Sequence, residues 1–166
     1  MTRVGHGFDA HPLVAGRRFV LGGVDVPFER GALGHSDADA LAHAIADAVL
    51  GAAGLSDLGS RFPANDLRWK DANSMELLAQ CAAAVRQAGY AIVNVDATIV
   101  VDRPKLAPFI EQMRENVAVR LELEASCVGI KAKSSEGLGF TGDGSGIAVH
   151  AVALIEGLDA LGFPSR

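Results

Sequence analysis

The hydrophobic pattern of this chain keeps changing period, and that interleaving restricts its fold more than any other feature. Alternating, β-branched runs at residues 2–8, 18–28, 91–101, 128–133 and 147–155 are separated by stretches with helical spacing at 36–53, 74–88 and 104–123. Strands that alternate with helices, with at least one antiparallel closure, bury their apolar faces best as an α+β sandwich. The expected architecture is one mixed, largely antiparallel β-sheet with helices packed on one face. At 166 residues and 49% apolar composition the chain has enough material for one core. No tandem repeat, low-complexity tract or linker divides it, so residues 1–166 read as a single domain.

Local signals place the elements. Gly22-Gly23 sits inside the second β-type run and marks a bulge or tight turn. Ser36 is the expected cap of the first helix, with Asp37 and Asp39 in its first turn, Leu41, Ile45, Ala48 and Val49 as its buried stripe, and Gly54 as its stop. The second helix is expected over Ser74–Ala88, with Leu77, Leu78, Cys81, Ala82 and Val85 on one face and Gly89 ending it. Pro104 is expected to open the third helix. Residues 55–73 carry Gly, Pro, Asn and Asp without a sustained period, and a loop of that length reads as a functional lid or wall.

Charge narrows the function. Lys+Arg 15 against Asp+Glu 20 gives a net charge of −5, which leaves no broad cationic field for a nucleic-acid backbone. The N-terminal residues run straight into polar and glycine positions, unlike a secretory signal. The apolar stretch 38–55 is interrupted by Asp39, His43 and Asp47, which are costly in a bilayer, so no membrane partner is expected. Cys81 and Cys127 both fall in apolar-patterned segments, pointing to buried, inert thiols in a reduced, cytoplasmic protein.

Three groups of residues could carry chemistry. Asp9-Ala10-His11 closes the first strand, and residues two apart project to the same side, so a carboxylate and an imidazole face a common point. His43 lies on the first helix between Asp39 and Asp47, either of which could orient the ring through its second nitrogen. If the helix brings His43 to the Asp-x-His pair, one oxygen and two nitrogens with an open fourth position match a catalytic zinc site. The second group, His35-Ser36 at the expected helix start, suits an anion. In the third, Lys131 to Glu136 leaves a strand for a glycine-rich stretch to Gly146. Its hydroxyls, lysine and carboxylate suit a diphosphate with its divalent ion.

Plainer readings of each group stay open on the residues alone: an ordinary polar strand end, a plain helix cap and a ligand-free glycine hairpin. Gly137-x-Gly139-x-x-Gly142 matches the dinucleotide fingerprint in letters, but the helix and second unit that such a site needs are missing. No Gly-Lys-Ser/Thr of a Walker loop and no local nucleophile motif occurs.

Taken together, Gly5-His6-Gly7-Phe8-Asp9-Ala10-His11, Gly34-His35-Ser36-Asp37-Ala38-Asp39, Asp57-Leu58-Gly59, Phe62-Pro63, Pro104-Lys105 and Glu136-Gly137-Leu138-Gly139-Phe140-Thr141-Gly142 resemble the 2-C-methyl-D-erythritol 2,4-cyclodiphosphate synthase family. The resemblance runs from about residue 2 to 156 and leaves a short C-terminal tail. It implies an isoprenoid-precursor enzyme that cyclises 4-diphosphocytidyl-2-C-methyl-D-erythritol 2-phosphate and releases CMP. It further implies a homotrimer with active sites at subunit interfaces, a zinc ion, and a magnesium or manganese ion. Carried over by position, Asp9, His11 and His43 would hold zinc and Glu136 the second ion, while His35 and Ser134 would stabilise the transition state. The resemblance assigns Asp57, Leu58, Gly59, Phe62, Pro63, Ala64, Asn65 and Asp66 to the sugar-phosphate pocket, and Ala10 and Ser36 to substrate binding. Residues 101–107, with Val101, Lys105, Leu106 and Ala107, and residues 132–135, with Ala132, Lys133 and Ser135, would take the cytidine and its diphosphate from the neighbouring subunit, and Phe140 and Asp143 would also bind substrate.

The chain departs from the family pattern in three places. Asp143 stands where an Arg is common, which weighs against a phosphate at that corner and against an isoprenoid diphosphate in a trimer's central cavity. Ala64-Asn65 replaces a usual Asp-Thr, and Lys133-Ser134-Ser135 replaces a frequent threonine run while keeping hydroxyl and charge. A metal-dependent phosphohydrolase and a non-catalytic, isoprenoid-diphosphate-binding trimer are the alternative readings.

Overall fold

A computed structural model describes residues 1–158; the C-terminal tail expected beyond the core lies largely outside the described residues. Five strands form one sheet in the order β4-β1-β7-β5-β6. They are β1 (Thr2–Ala15), β4 (Arg30–Ala32), β5 (Tyr90–Val100), β6 (Val128–Lys133) and β7 (Gly146–Gly157). Only β5 and β6 run parallel; the other pairs are antiparallel, as expected for a mixed sheet. Between β1 and β4, β2 (Phe19–Leu21) and β3 (Val24–Val26) form a separate hairpin. Gly22 and Gly23 make its turn at φ 54° and 70°, a conformation glycine adopts without steric cost.

Three long helices cover one face: α1 (Ala40–Ala53), α3 (Ser74–Gln87) and α4 (Ile110–Leu121). Two single-turn helices, α2 (Leu58–Arg61) and α5 (Gly139–Gly142), lie in loops. Helix α1 is buried on nearly every side and packs directly on β1 and β7. Its close approach is possible because β1 presents Gly5 and Gly7 to it: a Cβ at Gly5 would run into the carbonyl of Ala48, and one at Gly7 into that of Ala44. The opposite face of the sheet is open, with Val4 66%, Phe8 49% and Val152 44% exposed.

Three element boundaries differ from the sequence expectation. Strand β1 continues to Ala15, so Asp9 and His11 sit inside it instead of closing it. Helix α1 starts at Ala40, not at Ser36, because Asp39 is the cap. The fully buried Asp39 carboxylate accepts from Ala42 N–H and also from Gly22 and Gly23 N–H, at 3.0, 2.9 and 2.8 Å. One side chain thereby fastens the helix start to the hairpin turn, and burial pushes its pKa up against the pull of those three amides. The third long helix begins at Ile110 instead of Pro104. Pro108 lies in a short 3-10 turn, Ala107–Phe109, and the residue before a proline disfavours the α conformation, which delays the regular helix. Of the two thiols, Cys81 is buried with its pKa pushed up to about 12 by that burial, whereas Cys127 is only half-buried.

Candidate active site

The β1 alternation and the first turn of α1 bring Asp9, His11 and His43 together. Asp9 Oδ2 lies 2.8 Å from His11 Nε2 and 2.9 Å from His43 Nδ1. The two ring nitrogens are 3.4 Å apart. His11 Nδ1 is 3.1 Å from the carbonyl of Leu33, an acceptor only, so Nδ1 carries a proton and Nε2 is the nitrogen left to bond Asp9 or, once deprotonated, a metal. His43 turns its other nitrogen away, with Nε2 2.8 Å from Ser74 Oγ. Three metal-ligating atoms, one carboxylate oxygen and two imidazole nitrogens, therefore converge on one point among the described residues. Both rings are anchored through their second nitrogen, as metal-binding histidines usually are. The donor set fits zinc.

Electrostatics agree with the geometry. Burial works to raise the Asp9 pKa, but hydrogen bonds and Coulomb attraction from His11 and His43 outweigh it and bring it down to about 2. Burial opposes a charge on His43, yet Asp9, with Asp39 and Asp37 farther off, raises its pKa above the ordinary value. A proton on His43 and a metal ion would compete for the same Nδ1 lone pair, so metal binding would release that proton. Ala10 alternates to the exposed face of the strand, and its N–H donates to Asp9 Oδ1 at 3.0 Å.

A cavity of about 190 Å³ opens beside this cluster, lined by His11, His35, Ser36 and His43 and walled by the 55–73 segment. Leu58, Gly59, Phe62, Ala64 and Trp69 supply that wall, so the long loop is a wall with two helical turns in it. Asp57 caps α2 through Ser60 N–H, and Asp66 caps the 3-10 turn Leu67–Trp69 through Arg68 N–H. Both carboxyls are held below the ordinary range, Asp57 by Ser60 and Asp66 by Arg68. Pro63 is half-buried and Asn65 exposed beside them. His35 and Ser36 reach the cavity but do not form the anion site expected at a helix start, since the helix begins four residues after Ser36. Neither Asp39 nor Asp47 orients His43: Asp39 is spent on its three amides, and Asp47 accepts from Leu58 N–H at 2.7 Å.

The remaining expected residues gather elsewhere. Because β5 and β6 are parallel neighbours, the segments that follow them emerge side by side. Asp102, inside the expected 101–107 stretch but given no role of its own there, accepts from Ser134 Oγ at 3.0 Å, Ser135 N–H at 2.6 Å and Gly137 N–H at 2.9 Å. The amides of Ser135 and Gly137 hold its pKa below the ordinary value. The signal was present in an acid placed just after one strand and a hydroxyl-rich turn just after the next. Glu136 sits exposed in that turn at φ 53° and does not join the Asp9 cluster.

Lys105, Ser134, Phe28 and Arg103 line a second cavity of about 450 Å³. Ala107, Ala132 and Lys133 are exposed near these strand ends, whereas Val101 and Leu106 are buried and offer only their backbones. Ser135 Oγ bonds to Thr141 Oγ1, tying the turn to α5, and Phe140 is 48% exposed. Asp143 is exposed with its carboxyl lowered mainly by Ser145, and Arg30 supplies a cation beside it, its Nη1 donating to Gly144 O at 2.9 Å. No helix among the described residues is long and apolar enough to cross a membrane.

Comparison with known proteins bears on this arrangement. The YgbB family pattern matches residues 2–156. A 2-C-methyl-D-erythritol 2,4-cyclodiphosphate synthase of Geobacillus kaustophilus is 56% identical over 156 residues, covering 94% of this chain and 99% of that protein. Among solved structures, the bifunctional IspDF of Campylobacter jejuni aligns with a TM-score of 0.91 at 39% identity, over 95% of this chain and 42% of that longer one. A 2C-methyl-D-erythritol-2,4-cyclodiphosphate synthase in its CDP-bound form aligns at TM-score 0.86 and 36% identity, covering 93% of this chain and 100% of that one.

Proposed function

Since the chain belongs to the YgbB family over residues 2–156, we propose that it converts 4-diphosphocytidyl-2-C-methyl-D-erythritol 2-phosphate to 2-C-methyl-D-erythritol 2,4-cyclodiphosphate and CMP. The observation that carries the reading is the convergence of Asp9 Oδ2, His11 Nε2 and His43 Nδ1 beside a cavity. An oxygen of the substrate's own 2-phosphate attacks the β-phosphorus, the bond to the CMP oxygen breaks, and CMP leaves with that electron pair. The nucleophile comes with the substrate, so the protein needs none, in keeping with its lack of a nucleophile motif.

Zinc at Asp9, His11 and His43, with magnesium or manganese at Glu136 and the diphosphate, would offset the negative charge that resists attack. The chain's own contribution is to fold the substrate back on itself, making the reaction intramolecular. Leu58, Gly59 and Phe62 would pack one side of the bound substrate. His35 and Ser36, which line the same cavity, would hydrogen-bond the sugar phosphate. Lys105 would supply a cation for the diphosphate in the second cavity, where Ser134, its proton given to Asp102, also lies.

The two groups lie apart on one chain, which supports a homotrimer in which the Asp102–Glu136 end of one copy faces the zinc cavity of the next. The exposed apolar residues Val4, Phe8 and Val152 on the open sheet face support burial of that face in the assembly. Half-buried or buried free thiols accord with a cytoplasmic site of action. The reaction is tested by incubating protein, substrate, zinc and magnesium and identifying products by phosphorus NMR and mass spectrometry. A cyclic diphosphate plus CMP in equal amounts is expected. An open phosphate that takes up oxygen from labelled water would establish a hydrolase instead. Light scattering should give three times the chain mass.

A further inference from the structure

His43 can present a lone pair to a metal only if its other nitrogen holds the proton, and the surrounding bonds decide which nitrogen does. His43 Nε2 is 2.8 Å from Ser74 Oγ. Ser74 is 1% exposed, and its hydroxyl donates to the Asp37 carboxylate in a short bond. Its backbone N–H donates to the other Asp37 oxygen at 3.0 Å, so Asp37 grips Ser74 at two points. A carboxylate accepts only, and a serine hydroxyl has a single proton. With that proton committed to Asp37, Ser74 Oγ can only accept from His43. Ser36 Oγ lies farther off, 3.3 Å from both Ser74 Oγ and His43 Nε2, which leaves Ser74 as the nearer partner of the ring.

We infer that Ser74 and Asp37 are positioning residues that lock His43 in the Nε2–H form, aiming the Nδ1 lone pair at the point shared with Asp9 and His11. The relay couples helix α3, which Ser74 opens, to the ligand on α1. Replacing Ser74 by alanine frees the ring to rotate or to move its proton to Nδ1, where it is held by Asp9 and blocks the metal. Outer partners of metal-bound histidines are commonly worth 10–100-fold in affinity, so Ser74→Ala should weaken zinc binding by about that factor. Ser74→Thr keeps the hydroxyl and should bind within about threefold of the unaltered protein.

The inference rests on the zinc reading of Asp9, His11 and His43, and the test separates the two. Zinc dissociation constants are measured by competition with a chromophoric chelator for the unaltered protein, Ser74→Ala and Ser74→Thr. Long-range proton–nitrogen NMR of the zinc-loaded unaltered protein reports which His43 nitrogen is protonated. Weakened binding in the alanine variant, near-normal binding in the threonine variant and a protonated Nε2 are expected. If the unaltered protein binds no zinc, the zinc reading and the relay fall together. If it binds zinc and Ser74→Ala binds equally well, the relay alone is overturned. Should the alanine variant not fold, the NMR spectrum decides: a bare Nε2 in the zinc-loaded protein overturns the relay.

Discussion

Substituting alanine at Gly7 tests how closely the metal site depends on the seat of one helix. A Cβ there would strike the Ala44 carbonyl oxygen and come to 2.7 Å from Ala48 N and 3.0 Å from Ala44 C. All are backbone atoms of α1, which cannot rotate aside, so the helix must lift by about 1 Å to restore ordinary contact. Overpacking of this kind costs about 1–3 kcal/mol, here toward the upper end, and the gain from replacing a strand glycine returns about 0.5–1 kcal/mol. A net loss of about 2 kcal/mol lowers the melting temperature of a chain this size by about 4–8 °C. His43 adjoins Ala44, so the same lift separates its Nδ1 from Asp9 and should weaken zinc binding about tenfold. Gly51→Ala on the same helix is the control. A Cβ there meets nothing within 4 Å in this chain, and helix propensity should stabilise by about 0.5–1 kcal/mol with zinc affinity unchanged. Circular dichroism melts of zinc-free protein and chelator competition provide the readings. A Gly7→Ala protein that melts and binds zinc like the unaltered one would show that the helix is not seated on this glycine.

Three further outcomes are expected. In zinc-free protein, Asp9 at about 2 against an ordinary 3.8 stabilises the fold above pH 4 by about 2 kcal/mol. That contribution is lost as pH falls through 2, so urea denaturation at pH 4 and pH 2 should show a steeper decline than in Asp9→Asn; parallel declines would remove the imidazole–carboxylate coupling. Asp39→Ala strands three amides and removes a helix cap, and should cost about 3 kcal/mol or more by the same denaturation. A loss under about 1 kcal/mol would mean that water replaces the carboxylate there. Asp102→Ala should release the 134–137 turn, cutting CMP formation while leaving zinc affinity intact; equal loss of both would contradict the separation of the two groups.

Much of this was legible in the sequence, and apart from the late start of α4, set locally by Pro108, the failures share a cause. Asp9 and His11 could be paired because the strand period places them on one side, a purely local rule. The sheet, its helices and the Gly22-Gly23 turn follow from equally local signals. What escaped were bonds across long separations. Asp39 was read as a first-turn charge because nothing nearby reveals that the hairpin turn lends it two more amides, which make it the cap in place of Ser36. Asp39 and Asp47 looked like partners for His43 because they are neighbours on the helix, while the actual partner, Ser74, is 31 residues away. The role of Asp102 was hidden in the same way, since its bonds to the 134–137 turn depend on β5 and β6 lying side by side.

The division of the chemistry between two ends of one chain has a consequence for mixed assemblies. In the proposed threefold ring, a copy crippled at Asp9 still lends a sound Ser134–Glu136 end to its neighbour, and a copy crippled at Asp102 still lends a sound zinc cavity. Two inactive variants mixed as subunits would thus rebuild about a quarter of the centres by chance, and the mixture should form CMP where neither variant alone does.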